Sequence, residues 1–322
     1  ASPRAAAASV LMLRSLPDHE QQDQAAAPKN RAVAPAASPG EHARRDDPRD
    51  RHDRHVRRHP EDPSGGVGRS PQLAEAVVDI GGRVSWRCGR GDGTGRGVVL
   101  LRCADPSRLE YVVLDDLQAP LVNGSPVSGT VTAFQSPTRW LGCQILRSQA
   151  DTALYSVQSD IVLNQVLVQG ADTGVLLERC TAVLEDVGIA RIAQRGLVAR
   201  TSSVAINRLT IDQIGECALA AADGSAVTLT DLLVQDSAVG VLGAGGSLVD
   251  AQTVTVHACG YGLVAHEASG GWGPGEIIVS GVTLDSNACD VLCARGSSVM
   301  IDGVAQAVSE QDVEGLLRLQ AQ

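Results

Sequence analysis

The chain has a single lysine, Lys29, and only seven aromatic residues among its 322. From Pro71 onward the chain has no lysine and an acidic balance of 15 Arg against 27 Asp/Glu, a poor phosphate binder, which excludes a nucleic-acid role for that part, and few rings are left to stack on sugars, which argues against a long glycan groove. Its eight cysteines contain no CxxC pair and no Gly-Gly-x-Gly-x-Asp calcium repeat occurs, so neither a zinc nor a calcium site is expected. No cofactor motif is present. No apolar run approaches the length of a bilayer span, so no membrane crossing is expected either.

What remains is divided unevenly. Residues 1–70 hold 12 Lys/Arg, 10 Asp/Glu and five of the seven histidines, interleaved with Ala and Pro. Such a segment buries too little apolar surface to offset its ordering entropy and is expected to be a disordered arm. Its basic run, Arg44 to His59, is broken by aspartates and reads as a solvated linker, with a polyanion- or metal-binding tail as the alternative. From Pro71 to Gln322 the composition turns to Val, Leu, Ile, Ala and Gly, with all eight cysteines, 15 Arg and 27 Asp/Glu. This part is expected to be one acidic folded domain. The chain starts at Ala1 without methionine, from which a processed N-terminus and an extracellular or cell-envelope location are expected.

The acidic domain repeats. Gly174, Gly196, Ala218, Gly240 and Gly262 recur every 22 residues, each opening a short apolar run. The next such run, Val291-Leu292-Cys293, arrives after 28, with the extra residues in the insert Ser269-Gly270-Gly271-Trp272-Gly273-Pro274-Gly275. Between these runs lie pairs of alternating apolar positions, such as Val204/Ile206 then Leu209/Ile211. Alternation with a period of two excludes a helical repeat and predicts an all-β solenoid with three short strands per coil.

This phase resembles the right-handed parallel β-helix repeat family, which includes pectate lyases, polygalacturonases and uncharacterised bacterial surface proteins. The resemblance covers roughly residues 72–308. The stretch Gln72 to Trp86 is similar to the opening of such domains, and a short amphipathic capping helix is expected there. Ser309 to Gln322, with Val313, Leu316, Leu317 and Leu319, is expected to cap the last coil as an irregular turn or helix. The family's enzymes cleave acidic polysaccharides with calcium-bound aspartates and a basic residue, or with an Asn-x-Asp, Asp-Asp, Gly-His-Gly set. Only Asp115-Asp116 matches.

Asp115 and Asp116 would point to opposite faces of a strand, whereas a turn could bring them together. His257, His266 and Glu267 flank the coil that carries the Gly-rich insert and form the other candidate catalytic group. Arg191, Arg195, Arg200 and Arg208, close to Glu178, Glu185 and Asp186, read either as a salt-bridged surface or as a patch for anionic sugar.

Two further expectations concern packing. Cys259 and Cys289 lie about one coil apart and are the favoured disulfide if the protein is exported, although they are offset by two positions. After each repeating glycine the apolar residues are consecutive, so one of two columns must face outward. Leu176, Val198, Leu242, Val264 and Leu292 form the candidate interaction stripe, for a protein partner or for self-association. A non-catalytic scaffold of the bacterial cell envelope is the leading expectation. A lyase or hydrolase of acidic glycans and an intracellular scaffold or filament subunit are the alternatives.

Overall fold

A computed structural model describes residues 95–122, 124–268 and 271–309, together with the strands Ser9–Val10, Asp79–Ile80 and Val84–Arg87. The expected disordered arm lies outside the described residues, apart from Ser9–Val10. Among the described residues every regular element is a strand and none is a helix. They form a β-solenoid of about eight coils, most of them about 22 residues long. Residue Val98 lies beside Val131, and the column continues through Leu154, Val175, Leu197, Leu219, Val241 and Leu263 to Val291, each rung parallel to the last.

Each coil contains three runs, which we call A, B and C. Run A follows the repeating glycine (Leu197–Arg200 in one coil), and B and C are the two alternating segments (Ser203–Asn207 and Leu209–Asp212 in the next). Single residues with positive φ separate the runs, and these stack. One column holds Gln135, Gln158, Arg179, Thr201 and Asp223, a second Gln165, Asp186, Arg208, Asp231 and Thr253, and a third Asp116, Arg147, Arg191, Gln213, Asp236 and Ala258. A left-handed residue turns the chain without breaking the ladder. Gln135 N–H still donates to Val157 O, and Asp116 N–H to Leu146 O. Hydrogen bonding therefore runs through the corners, and Thr181–Arg200 and Ser203–Ala222 are continuous 20-residue strands where three short ones were expected.

The interior is filled by alternate side chains. Leu163, Leu184, Ile206 and Leu229 stack from run B, Val168, Ile189, Ile211 and Val234 from run C, and Val175, Leu197, Leu219 and Val241 from run A; Ile206 is the most exposed of these at 4%. The repeating glycines have a steric cause. A Cβ at Gly196 would lie 2.5 Å from Ala218 O, and one at Gly174, Gly240 or Gly262 would come as close to the backbone of the next coil. Ala218 occupies the column where the ladder to the following coil shifts register between Ile214 and Cys217.

Of the stretch expected to form a capping helix, Gln72 to Trp86, the described residues are strand: Asp79–Ile80 pairs with Arg108–Leu109, and Val84–Arg87 with Val112–Asp115; the remainder lies outside the described residues. Ser9–Val10 adds an antiparallel strand along Leu100–Leu101, satisfying backbone groups at the first edge of run A. At the other end Met300–Ile301 turns back onto Val304–Ala305.

Candidate functional site

Run A resolves which apolar column faces out. Val175, Leu197, Leu219, Val241 and Leu263 lie inside with Leu177, Ala199, Ala221 and Ala265. The intervening Leu176, Val198, Ala220, Leu242, Val264 and Leu292 form a separate apolar cluster with Cys217, Val239, Tyr261, Cys289 and Ala294. Part of this outer stripe is nevertheless buried, while Leu176 and Leu242 are half-buried. Val264 is 0% exposed and Val198 and Leu292 are 3%, whereas Val183, outward on run B of the same solenoid, is 48% exposed. Lower on the face the stripe becomes polar. Tyr155 OH donates to Glu178 Oε2 at 2.8 Å, Glu178 meets Arg200 at 3.8 Å, and Arg195 Nε reaches Glu216 at 3.3 Å. Burial, then the bond and charge of Glu178, push the Tyr155 phenol up to about 12.

The charged residues pair along the axis. Arg208 forks onto Asp186 in the coil below, with Nη2 2.6 Å from Oδ2, and holds that carboxyl below its ordinary range. Arg147 forks onto Asp115 in the same way, with Nε 2.8 Å from Oδ1. Asp116 is the left-handed corner residue and accepts from Gln149 Nε2 at 3.0 Å. The two adjacent aspartates thus serve different neighbours. His257 Nδ1 lies 3.1 Å from Asp285 Oδ2, its register partner, while the buried His266 turns Nδ1 to Glu267 O at 2.9 Å. Glu267 is exposed. From the described part of the insert, Gly273 O accepts from Gly246 N–H and the Trp272 ring faces Gly224.

Cys259 and Cys289 do not share a register position, and no disulfide joins them. Cys259 is buried, and its N–H donates to Asn287 Oδ1 at 2.9 Å, whereas Cys289 lies beside Tyr261 on the outer cluster. All seven described cysteines are free thiols. Burial pushes the thiol of Cys217 up to about 12 and raises those of Cys143, Cys259 and Cys293, so the thiolate is suppressed at neutral pH.

A polar column inside the corner after run A is absent from the expectations. Cys103, Ser136, Ser159, Cys180, Ser202, Ser225, Ser247 and Ser297 are all buried there. Cys103 N–H donates to Ser136 Oγ, Ser136 N–H to Ser159 Oγ, Cys180 N–H to Ser202 Oγ and Ser202 N–H to Ser225 Oγ, at 3.0–3.1 Å. The hydroxyls of Ser136, Ser159, Ser202 and Ser225 thereby satisfy amides that the corner would otherwise strand, whereas Ser297 Oγ has no hydrogen-bond partner among the described residues. The signal was available, since a Ser or Cys directly follows the corner residue in coil after coil.

On run B a shallow groove of about 440 Å³ is lined by Val183, Glu185, Asn207, Thr230, Asp250 and Gln252 among others, and by no Arg, Lys or His. Among the described residues no cluster of three or more His, Cys, Asp or Glu is arranged to hold a metal, and no helix is long and apolar enough to cross a membrane. By fold the chain is a β-solenoid. Compared with known proteins, it matches no family, no curated protein and no solved structure.

Proposed function

We propose that this chain is a non-catalytic right-handed parallel β-helix, three-faced in each coil, that serves as a rigid structural or interaction scaffold at the bacterial cell envelope. The observation that carries this reading is the direction of its polar contacts. Arg147–Asp115, Arg208–Asp186, Arg195–Glu216, Arg200–Glu178 and His257–Asp285 each join one coil to the next. Groups that bind each other along the axis stiffen the stack and are not gathered around a common point, as acid–base chemistry requires. The apolar stripe on run A is the scaffold's contact face.

The rival reading, an enzyme acting on acidic glycans, is disfavoured by charge. The run B groove carries Glu185 and Asp250 without a cation among its lining residues, so a uronate polymer would meet like charge. The test is a panel of uronate polymers incubated with the full chain, followed by reducing-sugar release and by the absorbance of unsaturated products. Neither signal should rise above buffer. Turnover that disappears in His266→Ala or Asp115→Asn would replace the scaffold reading with the enzyme.

A further inference from the structure

The groove on run B crosses four successive coils, and its lining changes in order along the axis. Val183, Ala205, Thr228 and Asp250 stack in one column, and the residues two positions on, Glu185, Asn207, Thr230 and Gln252, stack beside them. The first column is apolar at its lower end, where Val183 is 48% exposed and Ala205 is exposed too. The second offers neutral oxygens, and Asn207 Oδ1 lies 3.4 Å from Thr230 Oγ1. A carboxylate stands at each end, Glu185 below and Asp250 above. Three coil steps of roughly 4.8 Å, with two residues of lateral offset, set these ends about 16 Å apart.

The charge around the groove is one-sided. In the same four coils the adjoining corner carries Asp186, Arg208, Asp231 and Thr253, and Arg208 is already forked onto Asp186. The column on the other side, Thr181, Ser203, Ala226 and Leu248, has no charge. Glu185 accepts from Asn164 Nδ2 at 2.9 Å, a neutral donor that leaves the carboxylate charge in place. Among the described residues none bonds to or pairs with the Asp250 side chain. The complementary ligand is therefore cationic, and the spacing asks for charge at both ends of an aliphatic stem.

We infer that the run B groove binds a linear polyamine. Its terminal ammonium groups sit on Glu185 and Asp250, its methylenes pass over Val183 and Ala205, and its inner ammonium groups donate to Asn207, Thr230 and Gln252. Exposed ion pairs are individually weak, so affinity arises from engaging both carboxylates with one molecule. A short diamine reaches only one of them. The site lies on a different run from the apolar contact face and does not depend on the scaffold reading.

Calorimetric titration of the full chain at low ionic strength tests this, with spermine as the long probe and putrescine as the short one. Extended spermine spans the distance between the two carboxylates, and it should fill a single site at least about tenfold more tightly than putrescine. Glu185→Gln and Asp250→Asn should each weaken spermine about two- to fivefold, and the double variant should bring it to the level of putrescine. Ala205→Arg, which places a cation in the floor, should abolish binding. Asp105→Asn, the same charge change on an exposed residue several coils below, should leave it unaltered. Amide shifts of the labelled parent protein locate the ligand without any substitution and should centre on residues 183–185, 205–207, 228–230 and 250–252. Absence of saturable binding overturns the inference, as do equal affinities for spermine and putrescine. So does a loss from Asp105→Asn as large as that from Asp250→Asn, or a set of shifts spread over the acidic domain, because either would show general attraction to negative charge and no site.

Discussion

Arg147 reaches down one coil to clasp both oxygens of Asp115, and the pair is lopsided: the Asp115 side chain is 4% exposed and that of Arg147 is 64% exposed. A carboxylate out of water needs its cation more than the solvated cation needs the carboxylate. Arg147→Ala should therefore destabilise the fold more than the double variant Arg147→Ala/Asp115→Asn, which removes the buried carboxylate's charge as well. Urea denaturation of the two and the parent gives the order; equal midpoints for single and double would show that Asp115 is served without Arg147.

The glycine column gives a steric prediction. Gly196→Ala and Gly240→Ala each force a methyl against backbone oxygen of the neighbouring coil at 2.5–2.6 Å. Each should cost about 1–3 kcal/mol, the usual range for overpacking. The reverse change at Ala218, where the ladder is irregular, should cost less, about 1 kcal/mol or below. Thermal unfolding of the three variants settles whether the contact is as tight as the backbone places it.

Ser202→Ala should cost about 1–3 kcal/mol, because Cys180 N–H then loses its buried acceptor. Cys180→Ser should be neutral or better, as it extends the hydroxyl column by one member. If Ser202→Ala melts with the parent, water or another carbonyl serves the amide and the ladder is incidental.

Titration of the phenols at about 295 nm should contain a component centred near pH 12 that disappears in Tyr155→Phe. Glu178→Gln should move that component down, since it removes both the accepting carboxylate and its charge, while the larger effect of burial remains. A component unmoved by Glu178→Gln would mean that the Tyr155–Glu178 bond does not persist in solution.

Asp186 makes the opposite contribution at low pH. Its folded value lies below the ordinary carboxylate value, owing first to the bond from Arg208. Its stabilising effect is thus complete above the unfolded value and is lost as pH falls through the depressed folded one. Arg208→Ala should be less stable than the parent at neutral pH, with the gap closing in acid. A gap that persists unchanged into acid would assign the loss to packing of the arginine stem instead.

The sequence made the repeat legible because alternation every second residue, sustained at a fixed 22-residue phase, leaves few architectures that bury one side of every run. Consecutive apolar pairs such as Val175-Leu176 and Leu263-Val264 hid which column was outward. That choice depends on where the corner falls, and the corner residues Arg179, Gln158, Thr201 and Ala258 share no side-chain chemistry, only a backbone angle. Asp115 and Asp116 illustrate the same limit: their divergence follows from the positive φ of Asp116, which adjacency in sequence does not reveal. The segment around Val84–Arg87 shows another limit, since a short apolar stretch fits a capping helix or one more turn of strand equally well, and its pairing with Val112–Asp115 is non-local.

Because the corners of successive coils stand directly above one another, the solenoid is graduated like a scale. Each corner position recurs one coil later, at the same azimuth and roughly 4.8 Å higher, whatever side chain occupies it. Inserting or removing one whole 22-residue coil would change the height by a single graduation and leave every other mark in register. The molecule can thus be lengthened or shortened in steps that leave the coil-to-coil ladder intact, which suits the rigid scaffold proposed above.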